Sequence, residues 1–380
     1  MHRRDFIFGT GLLALGFLLP GCGGSNQTSF RVRFLKNSVP LRILNKFEPA
    51  ADLSLNLESE RQLQDLFAFL ETWQKRVEIA KDTPRRPDVV TLGDYWLQQA
   101  ITKNLIHPID IQNLTNWSRL SQRWQTPVRR NQKGYIDTNG KVWGIPYRWG
   151  CTAIAYRQDK LDWKPQDWSD LWRPQLQQRL SLLDSHRETI GLTLKKLGLS
   201  YNQSSLSEVP ELESELRSLH QQAKFYSSST YLEPLILGDT WVAVGWSTDI
   251  LPILSRHPEI AIAMPSSGTA LWEDVWVCPA LPESDTSELS TSNSQTTSTL
   301  NQWFDFYLQP EIALQLALLS KGSSPVLSDE DAKEIPKEYR SILFPSPATL
   351  DSSEFLQPLS PETAKQYQAL GRQVRLRQGG

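Results

Sequence analysis

An α/β fold with mostly parallel sheets is the fold class this sequence predicts, and three observations carry it. Short apolar runs of strand length alternate with stretches of helical period along most of the chain. No repeat is visible, so the alternation builds one architecture and not a stack of copies. Once an N-terminal leader is set aside, about 350 of the 380 residues remain, enough for two domains and a large core.

The leader is "RRDFIFGTGLLALGFLLPGC", residues 3–22. Its apolar run, Phe6 to Leu19, is shorter than the roughly 20 residues a membrane-crossing helix needs, and Gly9, Gly11 and Gly16 interrupt it. A basic start, a short apolar middle and a small-residue end are the parts of an export signal. Arg3-Arg4 followed by Asp5-Phe6-Ile7 resembles a twin-arginine signal. Leu19-Pro20-Gly21-Cys22 resembles a bacterial lipobox, whose cysteine is lipidated. The alternative is an ordinary cleaved signal with an incidental cysteine. Residues 1–21 are therefore expected to be removed, Cys22 to be the lipid anchor, and residues 22–29 to be a flexible tether.

Beyond the tether, "RQLQDLFAFLETW" places Leu63, Leu66, Phe67, Leu70 and Trp73 on one helical face. "PDVVTLGDYWLQQAI" reads as a buried strand, a turn at Gly93 and a helix. The alternation continues through "GIPYRWGCTAIAYR" (Gly144–Arg157), Asp167 to Trp172, "RLSLLDS" (Arg179–Ser185) and "TWVAVGWSTDILPIL" (Thr240–Leu254). From Thr286 to Thr299, serine, threonine and small polar residues predominate, which predicts a surface loop inserted in the fold. The helical "LNQWFDFYLQPEIALQLALL" follows directly.

With 40 basic and 42 acidic residues the net charge is −2, which gives no general attraction to nucleic acid or acidic lipid. Besides Cys22 only Cys151 and Cys278 are present; they could pair in an exported protein, and spacing alone leaves that open. The 14 tryptophans suit a ligand groove and equally suit ordinary packing. The five histidines, His2, His107, His186, His220 and His257, show no metal-ligand spacing. "GWSTD" lacks the second glycine of a nucleophile elbow, and no phosphate loop or dinucleotide fingerprint is present. The expectation is a protein that is not an enzyme and needs no cofactor or metal.

"GIPYRWGCTAIAYR", "DWSDLWRP" (Asp167–Pro174) and "LSLLDSHRETIGLTLKKLGLSYN" (Leu180–Asn202) resemble the polyamine-binding proteins of bacterial ABC importers. "VAVGWSTDI" (Val242–Ile250), "PSSGTALWEDVWVCPA" (Pro265–Ala280) and "FYLQPEIALQLA" (Phe306–Ala317) follow in the family's order, so the resemblance spans about Arg31 to Tyr367. It implies a two-lobed, type II-like periplasmic binding protein with a hinge near Tyr147 and Trp272 and an interlobe cleft. Lobe 1 would comprise residues 30–145 and about 273–317, and lobe 2 about 146–272 and 318–380. The implied partners are a small-molecule amine and ABC permease subunits, with membrane contact only through the lipid anchor, no nucleic acid, and a monomeric state. The implied location is the periplasmic or extracellular face of the cell membrane.

In that family carboxylates grip ammonium groups and aromatic faces cover the methylenes; rings attract ammonium by roughly 0.5–2 kcal/mol each. Matching positions are Tyr95 in "LGDYW", Glu188 in "LLDSHRE", Trp246 and Asp249 in "GWSTD", and Trp272 and Asp274 in "LWED". Departures matter as much. Lys36 and Asn37 stand where the family usually carries a tryptophan and a glutamate, Ser185 where the spermidine-binding type has aspartate, and Ser323 where the family has tyrosine. A buried ammonium without a counter-charge is costly, so these losses argue for a putrescine-like diamine over a long triamine. The alternatives are a different small solute, or a sensing or docking lipoprotein of the same fold.

Overall fold

The computed structural model describes residues 29–49, 53–79, 86–280 and 294–376. Arg3, Arg4, Cys22 and nearly all of the tether lie outside them. Thirteen strands occur among the described residues: β1 Ser29–Leu35, β2 Ser54–Glu60, β3 Val89–Gly93, β4 Ile106–His107, β5 Arg129–Arg130, β6 Lys141–Val142, β7 Ile145–Arg157, β8 Leu180–Leu182, β9 Ala223–Tyr226, β10 Val242–Trp246, β11 Ile260–Ala263, β12 Ala270–Pro279 and β13 Glu354–Phe355.

Their main path runs β2-β1-β3-β12-β7-β10-β8-β9, with β4 and β13 joined to β12 and β11 to β7. The sheet is mixed, which corrects the expectation of mostly parallel pairing. β1 pairs β2 and β3 in parallel, as β8 does β9 and β10; β12 pairs antiparallel with β3 and β7, and β7 with β10 and β11. The cause lies in two long strands, β7 of 13 residues and β12 of 10, that run past each other in opposite senses. The first half of β7 lies against β12 and its second half against β10, so it links the two parts of the sheet. Asp274 pairs with Arg148 but Val275 pairs with Pro146, leaving Tyr147 as the extra residue of a bulge. Pro146 has no N–H to give the ladder, and a bulge there bends the crossing pair.

Helix Leu63–Ile79 buries Leu66, Phe67, Leu70 and Trp73, as its periodicity predicts; burying each such side chain contributes about 1.5–3 kcal/mol. Much of the tryptophan content is packing. Trp303 meets Phe47, Tyr307, Trp276 and Phe30 at centroid distances of 4.9 to 5.8 Å, and Trp168 is buried in the core around β8 and β10. Helix Pro361–Leu376 packs on helices His186–Lys196 and Leu212–Gln222.

One further expectation changes, and a question the spacing left open is answered. Helix Ser294–Tyr307 begins inside the stretch expected to be a loop, with Thr299 fully buried; residues 286–293 lie outside the described residues. Small hydroxyl side chains do not prevent a helix once one of its faces has a core to meet. Cys151 and Cys278 are both free and buried. Cys151 pairs with Leu271, seven residues before Cys278 on β12, a separation of roughly 23 Å along a strand. No helix among the described residues is long and apolar enough to cross a membrane.

Candidate functional site

One face of β7 organises the candidate residues. Side chains two apart on a strand share a face, which puts Arg148, Gly150 and Thr152 in line. Arg148 lies opposite Asp274 in the ladder; its Nε donates to Oδ2 at 2.7 Å, and its Nη2 sits 2.6 Å from the same oxygen. Gly150 faces Trp272 and Ser247. A Cβ at Gly150 would come within 2.2 Å of the Trp272 ring and 2.8 Å of the Ser247 hydroxyl, so only glycine lets the ring lie there. Thr152 donates its hydroxyl to Glu188 at 3.1 Å.

Glu188 stands in the first turn of helix His186–Lys196. Ser185-x-x-Glu188 has the spacing of a capping box. Ser185 does cap, accepting the Glu188 N–H at 3.3 Å, while the Glu188 carboxylate turns to Thr152. Burial pushes the Glu188 carboxyl up to about 7, against the smaller pull of Thr152 and Arg187. Arg187 donates from its two Nη groups to Tyr201 O, Asn202 Oδ1 and Gln357 O.

Strand β10 ends at Trp246, and helix Ser247–Leu254 carries Asp249 in its first turn. The Tyr231 hydroxyl accepts the Trp246 N–H at 3.0 Å and donates to Asp249 Oδ2 at 2.9 Å. Burial raises the Asp249 carboxyl, while the Tyr231 hydrogen bond and then the charge of Arg148 pull it back. Asp274 is 1 % exposed; burial raises it too, and Arg148 draws it toward ionisation. Trp246 and Trp272 are only partly buried. Tyr95, after β3, is half exposed and edge-on to Trp96.

The structure thus gathers Trp246, Asp249, Trp272, Asp274 and Glu188 around β7, with Tyr95 standing on the β3 side. Lys36 and Asn37 are exposed in the turn after β1, and Ser323 is spent on a hydrogen bond to Leu343 O. Sequence reasoning missed Arg148, Thr152 and Tyr231. The two-residue alternation inside "YRWGCT" would have placed Arg148 and Thr152 on the face of Gly150. A separate acidic pair lies on the other face of β12. Glu273 is fully buried with both carboxylate oxygens unpartnered, held well above the carboxylate range by burial and then by Asp94; burial pushes Asp94 up to about 6. An open depression near Phe47, Asn113, Ser298 and Asp305 lies elsewhere, and Asp305 is committed there to the N–H groups of Thr115 and Asn116.

Among known proteins, the chain is 24% identical over 348 residues to the spermidine/putrescine-binding periplasmic protein of Escherichia coli K12, covering 90% of this chain and 92% of that one. It is 24% identical over 276 residues to a putrescine-binding periplasmic protein of the same organism, covering 66% of this chain and 70% of that one. Its fold is similar to the crystal structure of a spermidine/putrescine ABC transporter substrate-binding protein from Streptococcus pneumoniae, with a TM-score of 0.76, 19% identity, and 92% and 99% of the two chains covered. Two lobes joined by crossing strands are thus its architecture. The description of the bacterial extracellular solute-binding proteins matches residues 85–346, and the chain belongs to that family.

Proposed function

We propose that this protein is the lipid-anchored substrate-binding component of an ABC importer and binds a polyamine, putrescine-like in preference to spermidine-like, in the cleft between its lobes. The observation that carries the reading is the convergence on one face of β7 of three carboxylates, Glu188, Asp249 and Asp274, with two partly buried tryptophans, Trp246 and Trp272. Carboxylates supply charge for ammonium groups, and indole faces supply flat apolar cover. Its relatives that bind spermidine and putrescine support the same ligand class. Tyr95 closes over the ligand from lobe 1, residues 30–145 with about 273–317; the other contacts come from lobe 2, about 146–272 with 318–380, and from β12. The loaded protein docks on permease subunits as a monomer, held at the outer face of the membrane by Cys22 after export directed by Arg3 and Arg4.

A thermal-shift screen with diamines, triamines, amino acids, sugars and oxyanions tests the ligand. Ligand at 100 times its dissociation constant stabilises by about 2.7 kcal/mol, an easily read shift. Stabilisation by putrescine is expected; stabilisation by a sugar or an oxyanion with no response to amines would refute the reading. Cys22→Ala should release the protein from the membrane fraction, and continued attachment would reveal another anchor.

A further inference from the structure

Arg148 already makes the contacts expected of a bound ammonium group. Its guanidinium meets Asp274 Oδ2 through Nε and Nη2 at 2.7 and 2.6 Å, and its central carbon lies 5.6 Å from the centroid of the Trp272 ring. The Arg148 and Asp274 side chains are 6 % and 1 % exposed, so the pair is buried. The arginine stem is also held. A Cβ at Gly322 would come within 2.6 Å of Arg148 Cδ, and the neighbouring Trp149 exchanges two backbone hydrogen bonds with Ser323 at 2.9 and 2.8 Å. Arg148 is thus clamped between β12 and the Gly322 turn, and its charge is also felt at Asp249.

We infer that Arg148 is a specificity-determining residue, a resident cation that occupies the ammonium seat formed by Asp274 and Trp272 and so limits the cleft to ligands with fewer ammonium groups. The inference rests on the polyamine reading and deepens it. The mechanism is charge balance. Glu188, Asp249 and Asp274 together would suit three ammonium groups, but Arg148 neutralises one carboxylate of the three and repels a further cation. Arg187 beside Glu188 adds to the same bias, although its two Nη groups are taken by Tyr201, Asn202 and Gln357. Discrimination by a repulsive element is a common way to separate related ligands. A fixed guanidinium is suited to it, because it is planar and its Nε and Nη2 donors meet Asp274 Oδ2 together.

The test is Arg148→Met, which keeps an apolar stem and removes the charge. It is compared with wild type and with Arg148→Met/Asp274→Asn, which removes both charges and leaves no buried unpaired carboxylate. Dissociation constants for 1,4-diaminobutane and spermidine are measured by calorimetry, with melting curves to confirm folding. Wild type should prefer the diamine, Arg148→Met should shift the ratio toward spermidine by tenfold or more, and the double variant should restore the wild-type ratio. A wild type that favours spermidine, or an unchanged ratio in Arg148→Met, would overturn the inference. If Arg148→Met does not fold, the double variant decides: a spermidine preference there would overturn it, and a retained diamine preference would uphold it. If wild type binds no amine but Arg148→Met acquires amine binding, the inference stands and the polyamine reading falls. If neither binds any amine, both fall.

Discussion

Glu188, proposed as a ligand carboxylate, would couple binding to pH. Its side chain is buried, and burial raises the carboxyl from 4.5 to about 7. A folded value above the unfolded one means that the native state holds the proton longer, so its contribution to stability is full below pH 4.5 and is lost as pH rises through about 7. At 1.36 kcal/mol per unit the loss is about 3 kcal/mol. Glu188→Gln keeps an acceptor for Thr152 and cannot ionise, so its stability should stay level across that window and exceed wild type at pH 8; denaturant melts at several pH values check this. Binding runs the other way. An ammonium ion needs the ionised carboxylate, so affinity should rise about tenfold per pH unit up to about pH 7 and then level off. Titration calorimetry at pH 6 in two buffers of different ionisation enthalpy should register proton release on binding. No release, or affinity independent of pH, would mean that Glu188 does not contact the cation.

The elements carrying these residues were legible to different degrees. Helix Leu63–Ile79 was readable because its apolar spacing is local, and so was the strand, turn and helix around Gly93. Strand direction was not, because the two-residue alternation of a strand is the same whichever way its neighbour runs. The Arg148–Asp274 pair was hidden for a related reason: it joins residues 126 positions apart, through a register that the bulge at Tyr147 resets. The positions of Glu188 and Asp249 on helix first turns were within reach of sequence patterns, whereas their partners Thr152 and Tyr231 were not. Ser185 gives an element-scale prediction. It caps helix His186–Lys196 by accepting the Glu188 N–H, so Ser185→Ala should cost about 1 kcal/mol of stability. Ser185→Asp caps equally well and favours the positive end of the helix dipole, so it should melt at or above the wild-type temperature. An unchanged melt for Ser185→Ala would show that the cap contributes nothing to the fold.

At the scale of the molecule, β7 and β12 cross between the proposed lobes and the chain passes between them again at the end of helix Pro310–Ser320, so closure around a ligand would require the β7–β12 pair to bend. The bulge at Tyr147 is where that bend costs least, because the ladder is already interrupted there. Ligand shifts such an equilibrium only through contacts it makes better in the closed form. Trp246, Asp249 and Glu188 follow β7 on one side, whereas Tyr95 follows β3 on the other and is half exposed. Tyr95 is therefore the candidate whose contact with ligand depends on closure. Tyr95→Ala should leave the melting temperature of the unliganded protein within the ordinary range of a surface change, about 0.5 kcal/mol either way. It should weaken binding of the identified ligand by about 3- to 30-fold, the worth of one ring over an ammonium group. Small-angle scattering should show wild type contracting at saturating ligand and the variant contracting less at equal saturation. Equal contraction with equal affinity would mean that closure is driven from the β7 side alone and that Tyr95 is a bystander.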